Sequence, residues 1–213
     1  MRSYGQYCAV AKALDVVGDR WSLLIVRELL LREACRYTDL LEGLPGIATN
    51  LLADRLRELE SAGVVCREGA PPPIAATLFR LTDRGRELRP AVHALLQWGG
   101  PLLGEDLGDD EFRSYWLALP LESALADRGP DVPPVTLEVR AGEERAAIEV
   151  ADGKVRSYDG AADEPDVILT GPPRLILGTL VRKVDLERAR ELGLAVEGDL
   201  KKLKRLLRPA ATA

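Results

Sequence analysis

Leu44-Pro45-Gly46 is a turn too tight to continue a helix, and it sits between two helical patterns. Before it, Arg36 to Glu42 is a short helical segment, preceded by Tyr7 to Val17 and Trp21 to Leu31, which Gly18-Asp19-Arg20 separates. After it, Ile47 to Ala62 repeats apolar residues at helical spacing, and Gly63 suits the position just past its end. Val64 to Arg67 and Leu78 to Leu81 are β-prone, with Glu68-Gly69-Ala70-Pro71-Pro72-Pro73 as a loop between them. Thr82-Asp83 can cap a last helix from about Arg84 to Trp98.

The order is helix, helix, helix, turn, helix, strand, loop, strand, helix. Two helices joined by a tight turn and followed by a β-hairpin predict a winged helix-turn-helix. On a 100° wheel starting at Ile47, Ala48, Leu51, Leu52, Leu56, Leu59 and Ala62 fall within roughly 180° of it. Thr49, Asn50, Ala53 and Arg57 fall opposite, between about 200° and 300°. A helix entering the major groove needs such a face, short enough to approach and able to address base edges. Arg57 suits guanine or phosphate, and Asn50 suits adenine. The alternative is an ordinary solvated face; the turn before and the hairpin after favour DNA. Arg55 lies inside the apolar arc and is read as a structural arginine paired with an acid.

The chain changes character near residue 100. Residues 1–100 carry 13 Lys+Arg against 12 Asp+Glu, and residues 101–213 carry 16 against 22. An acidic chain still binds nucleic acid when one face of one domain is positive, because phosphate contacts are local. Gly99-Gly100-Pro101 ends a helical pattern, and an acidic, glycine-containing stretch follows. The predicted division is 1–103 for the first domain, 104–113 for a linker and 114–213 for the second, an α+β chain throughout.

The second half opens on a helical pattern from about Phe112 to Ala126, then a breaker cluster at Arg128 to Pro134. Val135 to Arg140, Ala147 to Val150 and Val155 to Tyr158 read as strands, with Asp152-Gly153 as a hairpin turn. Val167 to Leu169 is a further strand, Pro172 to Val181 and Leu186 to Leu192 are helices, and Leu194 to Glu197 is a strand. Asp199 caps a last helix through Leu207. Its Lys201-Lys202 and Lys204-Arg205 pairs read as a solvated face.

Several function classes are disfavoured. There is one histidine, His93, read as structural, and the three cysteines form no CxxC pair, so no metal set and no cofactor is expected. No Ser-His-Asp order and no phosphate-cradling glycine loop argues for an enzyme. No run approaches 18 apolar residues; the run from Leu23 to Val26 ends on Arg27-Glu28, so no membrane span is expected. The start lacks the pattern of a secretion signal, and a reducing cytoplasm is the expected compartment.

Residues 8–99 resemble the HxlR-type winged-helix regulators of bacteria and archaea. The resemblance rests on Cys8 and Ala13-Leu14-Asp15, on Gly18-Asp19-Arg20-Trp21-Ser22-Leu23-Leu24-Ile25, and on Tyr37-Thr38-Asp39-Leu40. It continues through Leu44-Pro45-Gly46-Ile47, Leu51-Leu52, Arg55-Leu56-Arg57-Glu58-Leu59 and Ala62-Gly63-Val64-Val65, to Leu81-Thr82-Asp83-Arg84-Gly85 and Trp98-Gly99. It implies a transcriptional regulator that homodimerises through its first and last helices and places one reading helix in each half of an inverted-repeat operator in double-stranded DNA. Half-sites would then lie about 34–36 Å apart. The DNA-binding residues expected are Thr49, Asn50, Ala53, Arg57, Arg67 and Arg80.

The chain departs from the family pattern at Ala48, where a hydroxyl residue is common, so Thr49 must cap or the cap is lost at about 1 kcal/mol. Ala75-Ala76-Thr77 stands where the wing usually carries an arginine, which leaves its phosphate contacts to Arg67 and Arg80. Some members sense oxidants through a cysteine at the position of Cys8. That requires a partly exposed thiolate, and Lys12 is the charge partner expected. The alternative is an inert cysteine at the dimer seam. Cys35 and Cys66 are expected in the core, and Trp21 and Trp98 as core or dimer anchors.

Residues 114–208 resemble the sterol carrier protein-like domain, on Asp166 to Gly171, Leu175, Gly178 and Gly193 to Asp199. That implies a five-stranded sheet with helices over one face and an apolar tunnel for a small lipid-like ligand. Its candidate liners are Leu175, Ile176, Leu180, Leu203 and Leu206, which otherwise simply fill the core. Two rival readings follow: a hydrophobic-ligand binding protein whose helical half only dimerises, and a redox-sensing regulator acting through Cys8.

Overall fold

The computed structural model describes residues 3–69, 76–103, 109–125, 132 and 134–208. The chain divides into two compact units, Met1–Leu95 and Leu96–Ala213. The division falls inside a helix, ahead of the boundary expected after residue 103. Most of the expected linker, 104–108, and the wing tip, 70–75, lie outside the described residues.

The first unit runs α1 (Ala9–Val17), α2 (Ser22–Arg32), β1 (Cys35–Arg36), α3 (Tyr37–Gly43), α4 (Thr49–Ser61), β2 (Val65–Gly69), β3 (Thr77–Leu81), α5 (Asp83–Arg86) and α6 (Arg89–Gly99), the last continuing into the second unit. The sheet is antiparallel in the order β1-β3-β2. The helix expected from Arg84 to Trp98 is therefore two. Pro90 has no N–H to give a preceding turn, so the pattern breaks at Glu87-Leu88 and restarts. Strand β1, not expected from sequence, exists because its two residues pair with Phe79 and Leu78. Propensity alone does not mark so short a strand.

The core of this unit gathers Ile25, Val26 and Leu29 of α2, Leu40 of α3, and Leu52, Leu56 and Leu59 of α4, all nearly or fully buried. Glu28 is buried in the same helix. It is compensated by Arg27 at 2.7 Å and Arg32 at 3.9 Å, and Arg27 also donates to the Gly43 carbonyl, tying α2 to the end of α3. Thr82 Oγ1 accepts from the Gly85 N–H at 3.0 Å and donates to the Gly63 carbonyl at 2.6 Å, so one cap joins α5 to the chain leaving α4. A Cβ at Gly85 would lie 2.1 Å from the Val64 carbonyl oxygen, so that close approach requires glycine.

The second unit contains a 3-10 turn (Ser114–Leu117), α7 (Ala118–Leu125), β4 (Val135–Ala141), β5 (Glu144–Ala151), β6 (Lys154–Asp159), β7 (Val167–Thr170), α8 (Pro173–Leu180), α9 (Leu186–Glu191), β8 (Ala195–Gly198) and α10 (Leu200–Leu206). The five strands lie in the order β6-β5-β4-β7-β8, with β4 and β7 parallel and every other pair antiparallel. Asp152 and Gly153 have φ of 51° and 71°, as the expected two-residue hairpin turn demands. Leu137, Val139, Ile148 and Leu169 share one sheet face and form a core with Leu121 of α7, Ile176 and Leu180 of α8, and Leu203 and Leu206 of α10. Asp199 caps α10 through the N–H groups of Lys201 and Lys202.

Candidate nucleic-acid interface

Helix α4 turns Leu52, Leu56 and Leu59 into the core and leaves Thr49, Asn50 and Arg57 exposed, with Ala53 half-buried between them. The four residues expected to face DNA thus share one accessible side. No side chain caps the helix at Ala48. Thr49 begins the helix and does not cap it; its carbonyl instead accepts a hydrogen bond from the Tyr37 hydroxyl of α3 at 2.5 Å. That contact fixes the start of α4 against the helix before the turn.

Arg55 is the structural arginine expected. It is paired with Asp19, ahead of α2, and with Glu58 at 2.6 Å, so α4 is tied to the α1–α2 turn. Beside that turn Trp21 holds φ +84°, with the Arg20 guanidinium 5.6 Å from its ring centroid.

The remaining arginines expected at the interface are each matched with an acid. Arg57 pairs with Asp54 one turn back on α4. Arg67 of β2 reaches Glu60 of α4 with Nε at 2.8 and 3.0 Å from its two oxygens. This pair holds the Glu60 carboxyl below, and the Arg67 guanidinium above, their ordinary pKa values. Arg80 pairs with Glu68 across the wing strands. The three carboxylates were not singled out from sequence; the i, i+3 spacing of Asp54 and Arg57 carried the signal for one of them. Between the start of α3 and the wing lies an open cleft of about 380 Å³ lined by Arg36, Thr38, Arg67, Thr77 and Phe79 among others.

A second surface lies at the N-terminus. Tyr4, Tyr7, Val10 and Leu14 are exposed, Tyr7 completely. The arm carrying Tyr4 is held to α1 by Asp15, which accepts from the Tyr4 N–H at 2.8 Å and the Ser3 hydroxyl at 2.9 Å. Cys8 is exposed at the cap position of α1. The N–H of Ala11, then that of Val10, lowers its thiol pKa. Lys12, the charge partner expected for it, pairs with Asp15 at 3.6 Å instead. Of the other cysteines Cys35 is buried, as expected, and Cys66 is half-buried; Trp21 is half-buried and Trp98 is 73% exposed.

In the second unit, Ile176, Leu180, Leu203 and Leu206 are fully buried in the core, and Leu175 packs against it. Asp166, within the motif quoted above, accepts from the Thr136 N–H at 2.9 Å and from Lys202 Nζ at 2.5 Å. Gly198 has φ +93°, and a Cβ there would lie 2.2 Å from the Asp166 carbonyl oxygen. Among the described residues, no group of three or more His, Cys, Asp or Glu side chains is placed to hold a metal ion, and no helix is long and apolar enough to cross a membrane.

A helix-turn-helix followed by a wing, with a solvent-facing polar side on its second helix, defines a DNA-binding regulator fold. Residues 16–106 match the model of the HxlR-like helix-turn-helix family. The HTH-type transcriptional regulator sll1512 of Synechocystis is 34% identical over 48% of this chain and 75% of its own length. YvaP of Bacillus subtilis, also described as an HTH-type transcriptional regulator, is 36% identical over 41% of this chain and 80% of its own. The reduced form of the transcriptional regulator YodB from B. subtilis aligns with a TM-score of 0.40 at 28% identity, covering 44% of this chain and 92% of that one. The chain belongs to the HxlR-like helix-turn-helix family of transcriptional regulators.

Proposed function

We propose that the first unit binds an inverted-repeat operator in double-stranded DNA as a homodimer, with α4 in the major groove. The observation that carries this reading is the open side of α4, where Thr49, Asn50 and Arg57 are exposed together beside the wing while Leu52, Leu56 and Leu59 hold the helix to its core. Arg67 and Arg80 lie on opposite faces of the β2–β3 hairpin, Arg67 against Glu60 of α4 and Arg80 beside Glu68, and each suits backbone phosphate. The second copy is supported by Tyr4, Tyr7, Val10 and Leu14, an apolar stripe along the N-terminal arm and α1 that stays exposed among the described residues. Selection of bound sequences from random duplex DNA tests the reading. Recovery of an inverted repeat with half-sites one helical turn apart is expected; a pool without symmetry removes the dimeric operator.

A redox reading is favoured by one observation: the Cys8 thiol is exposed and its pKa is lowered by the amides at the start of α1. Oxidant treatment is expected to change operator affinity in the native chain and not in Cys8→Ser. Equal responses in both remove Cys8 as the sensor.

Control by an apolar ligand in the second unit rests on its sterol carrier-like motif alone. Ile176, Leu180, Leu203 and Leu206 are closed in the core, so an occupant has to displace packed side chains. Titration with a fatty acyl ligand that leaves operator affinity unchanged counts against it.

A further inference from the structure

Each arginine placed to meet DNA already has a carboxylate partner from its own unit: Arg57 has Asp54, Arg67 has Glu60 and Arg80 has Glu68. These are not core ion pairs. The Arg57 side chain is 67% exposed, Arg67 48% and Arg80 39%, so each is open to solvent and free to change partner. Binding to phosphate gains affinity by bringing cations to the backbone and releasing its condensed counterions. A cation that arrives with its own carboxylate brings little net charge and must change partners to make the contact.

We propose that Asp54, Glu60 and Glu68 are affinity-setting residues of the DNA surface: each competes with phosphate for one arginine and so restrains sequence-independent binding. The inference rests on the DNA-binding reading above. Exposed ion pairs are weak, so partner exchange is cheap, about 1.4- to 5-fold in affinity for each pair. The surface is thus restrained without being blocked. It also explains how a first half with almost balanced charge, 13 Lys+Arg against 12 Asp+Glu in residues 1–100, serves a polyanion. Three of its acids stand beside the arginines expected at the duplex.

The test uses the full chain and a random-sequence duplex, with affinity followed over a range of salt. Glu60→Gln with Glu68→Gln is expected to tighten binding by about 2- to 25-fold at low salt. The slope of log affinity against log salt is expected to steepen by about one to two, because roughly 0.9 is added for each phosphate charge newly met. Asp54→Asn is expected to act in the same direction. A change of fold does not tighten binding, and unchanged thermal melting separates the two. Glu60→Gln is also made in an Arg67→Gln background. There its gain is expected to vanish, whereas an equal gain in both backgrounds means plain repulsion of DNA by Glu60 and overturns the proposal. Native affinity and slope in the Gln variants overturn it as well, while leaving the DNA-binding reading intact. If neither the native chain nor any variant retains duplex at low salt, both fall together.

Discussion

Helices α4 and α10 both bury one apolar side, but they carry charge in opposite ways. Helix α10 holds Lys201, Lys202, Lys204 and Arg205 within seven residues and no acid. Helix α4 holds Arg55 and Arg57 against Asp54, Glu58 and Glu60 in thirteen. Charge density alone selects α10 as the nucleic-acid helix. Its length does not: seven residues span only about 10 Å. Helix α4 is longer, is flanked by a wing, and shows small and hydrogen-bonding groups on its open side. What a duplex needs is a reachable face in the right place, and cations there are useful even when each is paired in the free protein.

The largest effect is expected from the buried side of α4. Leu56→Ala removes a side chain that is 3% exposed and is expected to destabilise the first unit by about 2–5 kcal/mol, read by chemical denaturation, with loss of DNA retention. Arg57→Ala leaves the core alone and is expected to weaken binding to the selected operator by about 1–3 kcal/mol, with little change in melting. An equal loss on random DNA assigns Arg57 to phosphate, the contact for which Asp54 competes, and a loss confined to the operator assigns it to a base edge.

On the α10 side the expected effects are smaller and fall on stability. The Lys202 ammonium, and then the Thr136 amide, hold the Asp166 carboxyl below its ordinary pKa. A carboxylate depressed by folding stabilises the folded state above its unfolded pKa, and that contribution disappears as pH falls through the folded value. The second unit is therefore expected to lose this part of its stability as pH falls through the ordinary carboxylate range and below it. Asp166→Asn is expected to lower its stability at neutral pH and to flatten this acid dependence; an unchanged acid profile removes the Asp166–Lys202 contact as a stabilising pair. Smallest of all, Lys201→Ala with Lys204→Ala is expected to leave operator affinity and its salt slope within about twofold of the native chain, within the scatter of exposed pairs. A slope shallower by one or more brings α10 into the DNA contact.

Much of this was legible in the chain itself. The apolar spacing of Ile47 to Ala62 set which side of α4 packs, and the capping roles of Thr82 and Asp199 and the Asp152-Gly153 turn follow from residue chemistry within a few positions. The break at Glu87-Leu88 was also encoded, by Pro90, but the apolar pattern running through it masked the stop. Partner choice was not legible. Lys12 stands one turn after Cys8 and yet pairs with Asp15, three residues further along the same helix. Glu60 and Arg67 lie on different elements, and nothing in their spacing announces a two-oxygen contact.

Local order, the packed side of each helix and the caps are set by side-chain periodicity and by backbone preferences that act over a few residues, so the sequence alone determined them. Which arginine meets which acid, that two residues at Cys35-Arg36 become a strand, and that Ile176, Leu180, Leu203 and Leu206 close into one core were decided only by the tertiary structure. The reason is physical: these contacts join groups far apart in the chain, and their energies exist only once packing has brought the groups within a few ångströms.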